Sequence, residues 1–169
     1  MSQTEEQPKK KQPKITDDIK ALLKDFTNLR DRIDKKEKRL ACLELSMGAP
    51  STPNLTGMPG GGGDGSSKIE RNYIKKEEIE EQLRDMYAEE NRRREEIEDM
   101  FERIEDPAQQ SVVEMRYIDE AQWGDVCVAL FGNEPDYDER ERHYHKKTFK
   151  IHGAALLTLA RIYAARKTE

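Results

Sequence analysis

Basic side chains crowd the last part of the chain and offer the clearest chemistry in the sequence. Residues 142–167 hold seven Lys and Arg residues and no Asp or Glu. Such side chains on a helix neutralise DNA phosphates or reach guanine edges in the major groove, and a small apolar side chain can meet a thymine methyl group. The candidate DNA-binding residues are therefore Arg142, His143, Lys146, Lys147, Lys150 and Ala154. Two alternatives stay open: a merely solvated helix face, or a basic helix that binds an acidic protein.

Other residue combinations in the chain do not form a catalytic or metal-binding pattern. His143 and His145 stand two residues apart, which turns their side chains about 200° from each other on a helix and hinders shared metal binding. The many pairs of Glu and Asp residues within residues 68–106, which are predicted to be helical, lack the apolar pocket that acid–base catalysis needs. No nucleophile elbow, catalytic triad or dinucleotide fingerprint occurs. We therefore expect no enzyme activity, no cofactor and no metal.

The composition limits the kind of fold that can position the basic residues. Charged residues make up 38% of the 169 and the hydrophobic set only 34%, with a mean hydropathy of −1.02. Such a chain can line up apolar residues on narrow seams, as coiled coils do, but cannot build a thick core. No apolar run approaches the roughly 20 residues of a membrane span, and no signal peptide is apparent. With only two cysteines, we expect a cytoplasmic all-α protein without a membrane partner.

Apolar residues repeat at intervals of three and four along the first predicted helix. The helix is expected to begin after Thr16, which can cap it, and to end at Gly48. The seam residues are Ile19, Leu22, Phe26, Leu29, Ile33, Lys36, Leu40, Leu43 and Met47. This pattern over about four heptads predicts a coiled-coil helix. The polar residues 1–15 before it are expected to form a disordered tail.

A second seam follows a connector, residues 48–67, whose proline and glycine residues predict flexibility. Its apolar members are Ile69, Ile79, Leu83, Met86, Ile97, Met100 and Ile104, with Tyr73, Tyr87 and Phe101 beside them. The polar residues Asn72, Lys76, Glu90 and Arg93 also occupy seam positions, where they can fix register or oligomeric state. Two seams joined by one connector predict an antiparallel coiled-coil hairpin over residues 16–106. Because a two-helix seam is only marginally stable, we expect self-association through the coiled coil, a partner, or docking of the C-terminal residues.

Three shorter helices are predicted within residues 107–169. Asp106 can cap the first, which runs to about residue 117, and the second spans Trp123–Phe131 with Trp123 packed between these two helices. The third, residues 142–166, is expected to pack through Phe149, His152, Leu156, Leu159 or Ala160, and Tyr163. A helix-turn-helix module has this arrangement, because its last helix presents N-terminal residues to the major groove.

The landmarks of this module resemble those of a known family. Met115-Arg116-Tyr117-Ile118-Asp119, Gln122-Trp123-Gly124-Asp125-Val126 and Leu130-Phe131-Gly132 resemble the opening of the sigma-factor region-four helix-turn-helix. Residues 144–156, with His152-Gly153-Ala154-Ala155-Leu156, resemble its recognition helix. Small phage transcriptional regulators of the RinA and ArpU type end similarly and have an N-terminal helical hairpin with a Met-Pro-Gly loop, similar to Met58-Pro59-Gly60 here. The resemblance covers most of residues 16–165.

The resemblance implies a phage-encoded transcriptional regulator that binds double-stranded promoter DNA in the bacterial cytoplasm, with RNA polymerase or another protein as a further partner. Residues 133–141 depart from the family by forming a longer loop. This loop carries five acidic residues, Glu134, Asp136, Asp138, Glu139 and Glu141. Either the loop points away from DNA, or DNA binding is weak and needs a partner. Two rival functions are a protein-binding adaptor that keeps only the helix-turn-helix shape, and a small terminase-like DNA-packaging protein.

Overall fold

The computed structural model describes residues 15–48 and 68–167. The predicted tail (1–15) and connector (48–67) lie, apart from Ile15 and Gly48, outside the described residues. The helices are α1 (Asp17–Gly48), α2 (Lys68–Glu102), α3 (Pro107–Val113), a π-helical segment (Glu114–Ile118), α4 (Trp123–Phe131) and α5 (Glu141–Arg166). The fold is therefore all-α, as predicted. The chain divides into two compact units, Asp25–Glu96 and the described residues on either side of that range.

Within Asp25–Glu96, α1 and α2 pack side by side in opposite directions. The Lys76 ammonium lies 2.7 Å from the Glu44 carboxylate, and the Tyr87 hydroxyl donates a hydrogen bond to Glu37. Residue numbers thus fall along α1 as they rise along α2, which is the predicted antiparallel pairing.

The core of this helix pair is narrow. Its buried members are Leu29, Ile33, Ile79 and Leu83, with Leu40, Leu43 and Met86 partly buried against them. Glu90 is also buried at its seam position, and its carboxylate accepts a 2.7 Å hydrogen bond from Arg94. The prediction that Ile69 belongs to the seam is wrong, because its side chain is exposed. Given the pairing of Lys76 with Glu44, Ile69 lies level with a point beyond the end of α1 at Gly48.

The second unit joins the first turns of α1 and the end of α2 to the C-terminal helices. Helix α5 packs against both α3 and α4. The buried apolar residues include Ile19, Leu23, Ile97, Met100, Phe101, Ile104, Val112, Val113, Val126, Cys127, Leu156 and Leu159. Leu23 replaces the predicted Leu22 in this core, and Phe101 is buried rather than beside the seam. Both differences follow from a wider apolar stripe than a two-helix seam requires.

Local backbone chemistry sets the boundaries of the short helices. The Asp106 carboxylate accepts hydrogen bonds from the Ala108 and Gln109 amides at 2.9 and 3.3 Å, which confirms the predicted cap. The first helix is α-helical only to Val113 and continues as the π-helical segment to Ile118, a change that the apolar pattern did not predict. Gly132 ends α4 with a right-handed φ of −63°. A Cβ atom there would lie 2.6 Å from the Val128 carbonyl oxygen, so close approach explains this glycine.

Candidate nucleic-acid interface

Helix α5 has a packed side and an exposed side near its start. Tyr144 and Thr148 are buried, and the Thr148 hydroxyl donates to the Tyr144 carbonyl at 3.0 Å. Arg142 and Lys146 each stand two residues from Tyr144, which places them about 200° around the helix from it. Both are exposed, as is Lys150 one turn further on. The structure therefore brings Arg142, Lys146 and Lys150 together, and we call these three residues the cationic row.

The other three candidate DNA-binding residues lie beside the cationic row. The Lys147 ammonium lies 4.5 Å from the centre of the Phe131 ring, near the packed side. The exposed His143 ring meets the Tyr144 ring edge-on, with centroids 5.4 Å apart. Ala154 is half-buried. These contacts give Lys147 and His143 packing partners that the three residues of the cationic row do not have among the described residues.

The acidic loop before α5 is held against the packed side of that helix. The Asp136 carboxylate accepts hydrogen bonds from the Tyr144 hydroxyl at 2.6 Å and from the Arg140 guanidinium at 2.8 Å. These two bonds, the Tyr144 bond most of all, hold the pKa of Asp136 below its ordinary value. The Tyr137 ring stacks on Tyr144 with centroids 5.6 Å apart. Its hydrogen bond with Cys127, together with burial, raises the pKa of Tyr137 to about 12.

The hydrogen bond to Tyr144 directs the Asp136 carboxylate of the loop away from the cationic row. Arg142, Lys146 and Lys150 form no ion pair with any carboxylate of the described residues. Glu141 lies 3.6 Å from His145 instead. Of the two arrangements left open by the sequence, the positions of Asp136 and Glu141 agree with a loop that points away from these cations.

An aromatic cluster lies next to the cationic row. The Trp123 ring packs against Phe149, with centroids 4.8 Å apart, and meets His152 edge-on at 4.9 Å. The Arg116 guanidinium lies 5.2 Å from the centre of the Trp123 ring. Trp123 thus packs onto α5, and not simply between the first two short helices as predicted. Phe149, predicted on the packing side, remains 49% exposed because Trp123 covers only part of it.

His152 has a structural environment rather than one suited to a metal ligand. Its Nε2 atom shares a 3.0 Å hydrogen bond with the Tyr117 hydroxyl. Burial, and then the positive charges of Arg116 and Lys20, lower the pKa of His152. Across the described ranges, no three His, Cys, Asp or Glu side chains cluster so that they could hold a metal ion.

Two features of the exposed side were missed by sequence reasoning. One helix face carries four residues in succession, spaced by four, three and four positions: Arg142, Lys146, Phe149 and Gly153. A Cβ atom added to Gly153 would meet nothing within 4 Å. The spacing from Arg142 was the available signal, but the apolar character of Phe149 favoured the packed side.

Both thiols are free, with Cys42 exposed and Cys127 buried.

Within residues 15–48 and 68–167, no helix has the combination of length and apolar character that crossing a membrane requires.

Comparison with known proteins identifies a family for this chain. Residues 53–147 match the model of the family described as "Protein of unknown function (DUF1492)". Because the match spans more than half of the 169 residues, the chain belongs to this family. No curated protein and no solved structure matches the chain. The match includes Arg142 and Lys146 and ends at Lys147, before Lys150 and Gly153.

Proposed function

We propose that this member of the DUF1492 family binds double-stranded DNA through the cationic row at the start of α5, as a non-catalytic protein. The observation that carries the proposal is the exposure of Arg142, Lys146 and Lys150 on one side of α5. The Asp136 carboxylate of the preceding loop is hydrogen-bonded to Tyr144 and Arg140. A helix whose first turns carry exposed cations can enter the major groove and neutralise phosphates.

The overall net charge of −5 does not oppose this role. The acidic residues are concentrated in α2 and the four residues after it, because residues 68–106 hold fifteen Asp and Glu against nine Lys and Arg. Local potential, rather than the sum over the chain, guides a charged ligand to a surface. The cationic row therefore offers a positive surface on a chain that is acidic as a whole.

The resemblance to sigma-factor region four and to RinA- and ArpU-type regulators supports promoter DNA as the target. On this basis we propose control of phage transcription in the bacterial cytoplasm, with RNA polymerase as a further partner. The packing of α5 against α3 and α4 agrees with such a module, because a recognition helix needs a scaffold that leaves one side free.

A gel-shift assay of the full chain with duplex fragments of its source genome tests the proposal. We expect wild type to shift at least one fragment, and Lys146→Glu/Lys150→Glu to weaken that binding by about tenfold or more. Lys35→Glu/Lys75→Glu is the matched control, because it changes the charge equally at exposed positions of α1 and α2. Absence of any shift by wild type, or equal losses in both double variants, would overturn the proposal.

A protein-binding adaptor is the second candidate. The unit that contains α5 also exposes the apolar side chains Val128, Phe149 and Leu157, and exposed apolar side chains are enriched where proteins meet when they form a patch. Capture of a defined protein partner that survives Lys146→Glu/Lys150→Glu, without any DNA shift by wild type, would select this candidate. A closed ring of many subunits in light scattering would select the packaging-protein alternative.

A further inference from the structure

The exposed side of α5 carries an aromatic ring among its cations. We infer that Phe149 contacts the C5-methyl group of a thymine in the major groove and is thereby a specificity-determining residue. This inference rests on the proposed DNA binding and adds to it a contact that depends on base sequence.

Position on the helix directs Phe149 toward the same partner as the cationic row. Phe149 follows Lys146 by three residues and precedes Gly153 by four, and residues at these spacings lie on one helix face. Its ring is 49% exposed. A duplex whose phosphates meet Arg142, Lys146 and Lys150 therefore comes close to this ring.

Trp123 supports the Phe149 ring before any ligand binds. Trp123 packs on one side of it at 4.8 Å. Trp123 is itself held by the Arg116 guanidinium, which also donates a 2.9 Å hydrogen bond to the Ala121 carbonyl oxygen. The His152 ring also packs edge-on against Trp123, with centroids 4.9 Å apart. A ring braced in this way loses little side-chain entropy on binding.

The chemistry of Phe149 selects the group that it can recognise. A phenyl ring neither donates nor accepts the hydrogen bonds that distinguish most base edges. The thymine methyl group is the apolar group that the major groove presents, and phenylalanine is among the side chains that contact it. Lys146 and Lys150 beside the ring would bind phosphates. The apolar contact and the contacts with phosphates would therefore be made with one DNA duplex.

Gly153 leaves room for this approach. It lies one turn after Phe149 in the interior of α5, and a Cβ atom at this position would have nothing within 4 Å. Packing within the described residues therefore does not require glycine there. Absence of a side chain beside Phe149 allows the groove to approach the helix backbone closely.

Replacement of thymine by uracil removes the methyl group and leaves the hydrogen-bonding edge unchanged. Duplexes bound by the wild-type full chain are selected from a random pool, and each thymine is then replaced in turn. At one position or more, we expect uracil to weaken wild-type binding by about fourfold, the effect of one buried methyl group. Phe149→Ala should bind the thymine duplex more weakly and show no further loss with uracil there.

Two further variants separate the contact from a general effect on the fold. Phe149→Leu keeps an apolar side chain and should retain part of the uracil effect, with circular dichroism confirming a folded chain. Val128→Ala removes an exposed apolar side chain from α4 and should retain the whole effect.

Three results would overturn the inference. The first is duplex binding in which no uracil effect depends on Phe149, which leaves the proposed function intact. The second is a Phe149-dependent preference for single-stranded DNA, which indicates base stacking instead. The third is failure of the wild type to bind any duplex, which removes both proposals together.

Discussion

The Tyr144 hydroxyl donates a 2.6 Å hydrogen bond to the Asp136 carboxylate, which ties the acidic loop to the packed side of α5. Arg142 and Lys146 stand two residues before and after Tyr144, so they point about 200° away from it. One buried tyrosine thus separates an acidic carboxylate from two exposed cations. The bond thus directs one of the five acidic side chains of the loop away from the cationic row.

Replacing Tyr144 by Phe should reduce the sensitivity of the fold to acid. The pKa of Asp136 lies below its ordinary value of 3.8, mainly because of the Tyr144 bond and then the Arg140 bond. Its stabilising contribution is therefore complete above that ordinary value and is lost as the pH falls through the lower folded pKa. Without the Tyr144 bond, the pKa of Asp136 in the folded chain rises toward its ordinary value. Acid then removes less of the stability of the fold. An NMR titration of Asp136 checks this, and an identical titration midpoint in wild type and Tyr144→Phe would contradict it.

Protonation of His152 should destabilise the unit that contains α5. Burial and the charges of Arg116 and Lys20 lower its pKa below the ordinary value of 6.5. The unfolded chain therefore binds a proton at higher pH than the folded chain does. The contribution of neutral His152 is complete above 6.5 and is lost as the pH falls through the lower folded pKa.

Thermal unfolding of wild type and His152→Gln, measured in neutral and in acidic buffer, checks the predicted effect of His152 protonation. We expect the difference in melting temperature between neutral and acidic buffer to be smaller in His152→Gln. His143→Gln is the control, because His143 is exposed and should leave the wild-type difference unchanged. Equal differences in wild type and His152→Gln would rule out His152 as the source.

The buried Glu90 should add no net stability, in contrast to its apolar neighbours on the seam. Its carboxylate is bonded to Arg94 at 2.7 Å and lies 3.9 Å from Arg30. Replacing a buried ion pair by an apolar residue is often neutral or stabilising by about 1–4 kcal/mol. Glu90→Leu should therefore unfold at an equal or higher urea concentration, whereas Leu83→Ala should lose about 2–4 kcal/mol. Similar losses in both variants would show that Glu90 supports the helix pair.

Gly153→Ala should stabilise the chain and weaken DNA binding. The added Cβ meets nothing, and alanine in a helix interior is favoured over glycine by about 0.5–1 kcal/mol. Gly124→Ala in α4 is the control, since a Cβ atom there also meets nothing within 4 Å. Unfolding and gel-shift measurements on both variants check this. The expected result is higher stability in both and weaker binding in Gly153→Ala alone; unchanged binding in that variant would contradict the close approach.

Much of the fold was predictable from the sequence because its signals are local. Apolar residues at intervals of three and four predicted α1 and α2, and Asp106 marked the start of α3. The antiparallel pairing followed from burial of both seams. The π-helical segment Glu114–Ile118 was not predictable, because so short a run holds too few apolar residues to distinguish a wider turn from an α-helical one.

The candidate site was predictable in composition but not in arrangement. Charge alone singled out Arg142, Lys146, Lys147 and Lys150, but only the fold shows that the Lys147 ammonium lies over the Phe131 ring. The exposure of Phe149 depends on how far Trp123 covers it, which is a tertiary contact between α4 and α5. Similarly, only the fold shows that Asp136 is bonded to Tyr144.

The salt dependence of duplex binding tests the central claim most directly. In a plot of log affinity against log salt between about 50 and about 200 mM, each phosphate contact contributes a slope of about −0.9. We expect Arg142→Gln/Lys146→Gln/Lys150→Gln to make the slope shallower by about 2–3 relative to wild type. Wild-type binding that does not change with salt, or an identical slope in the triple variant, would contradict DNA recognition by the cationic row.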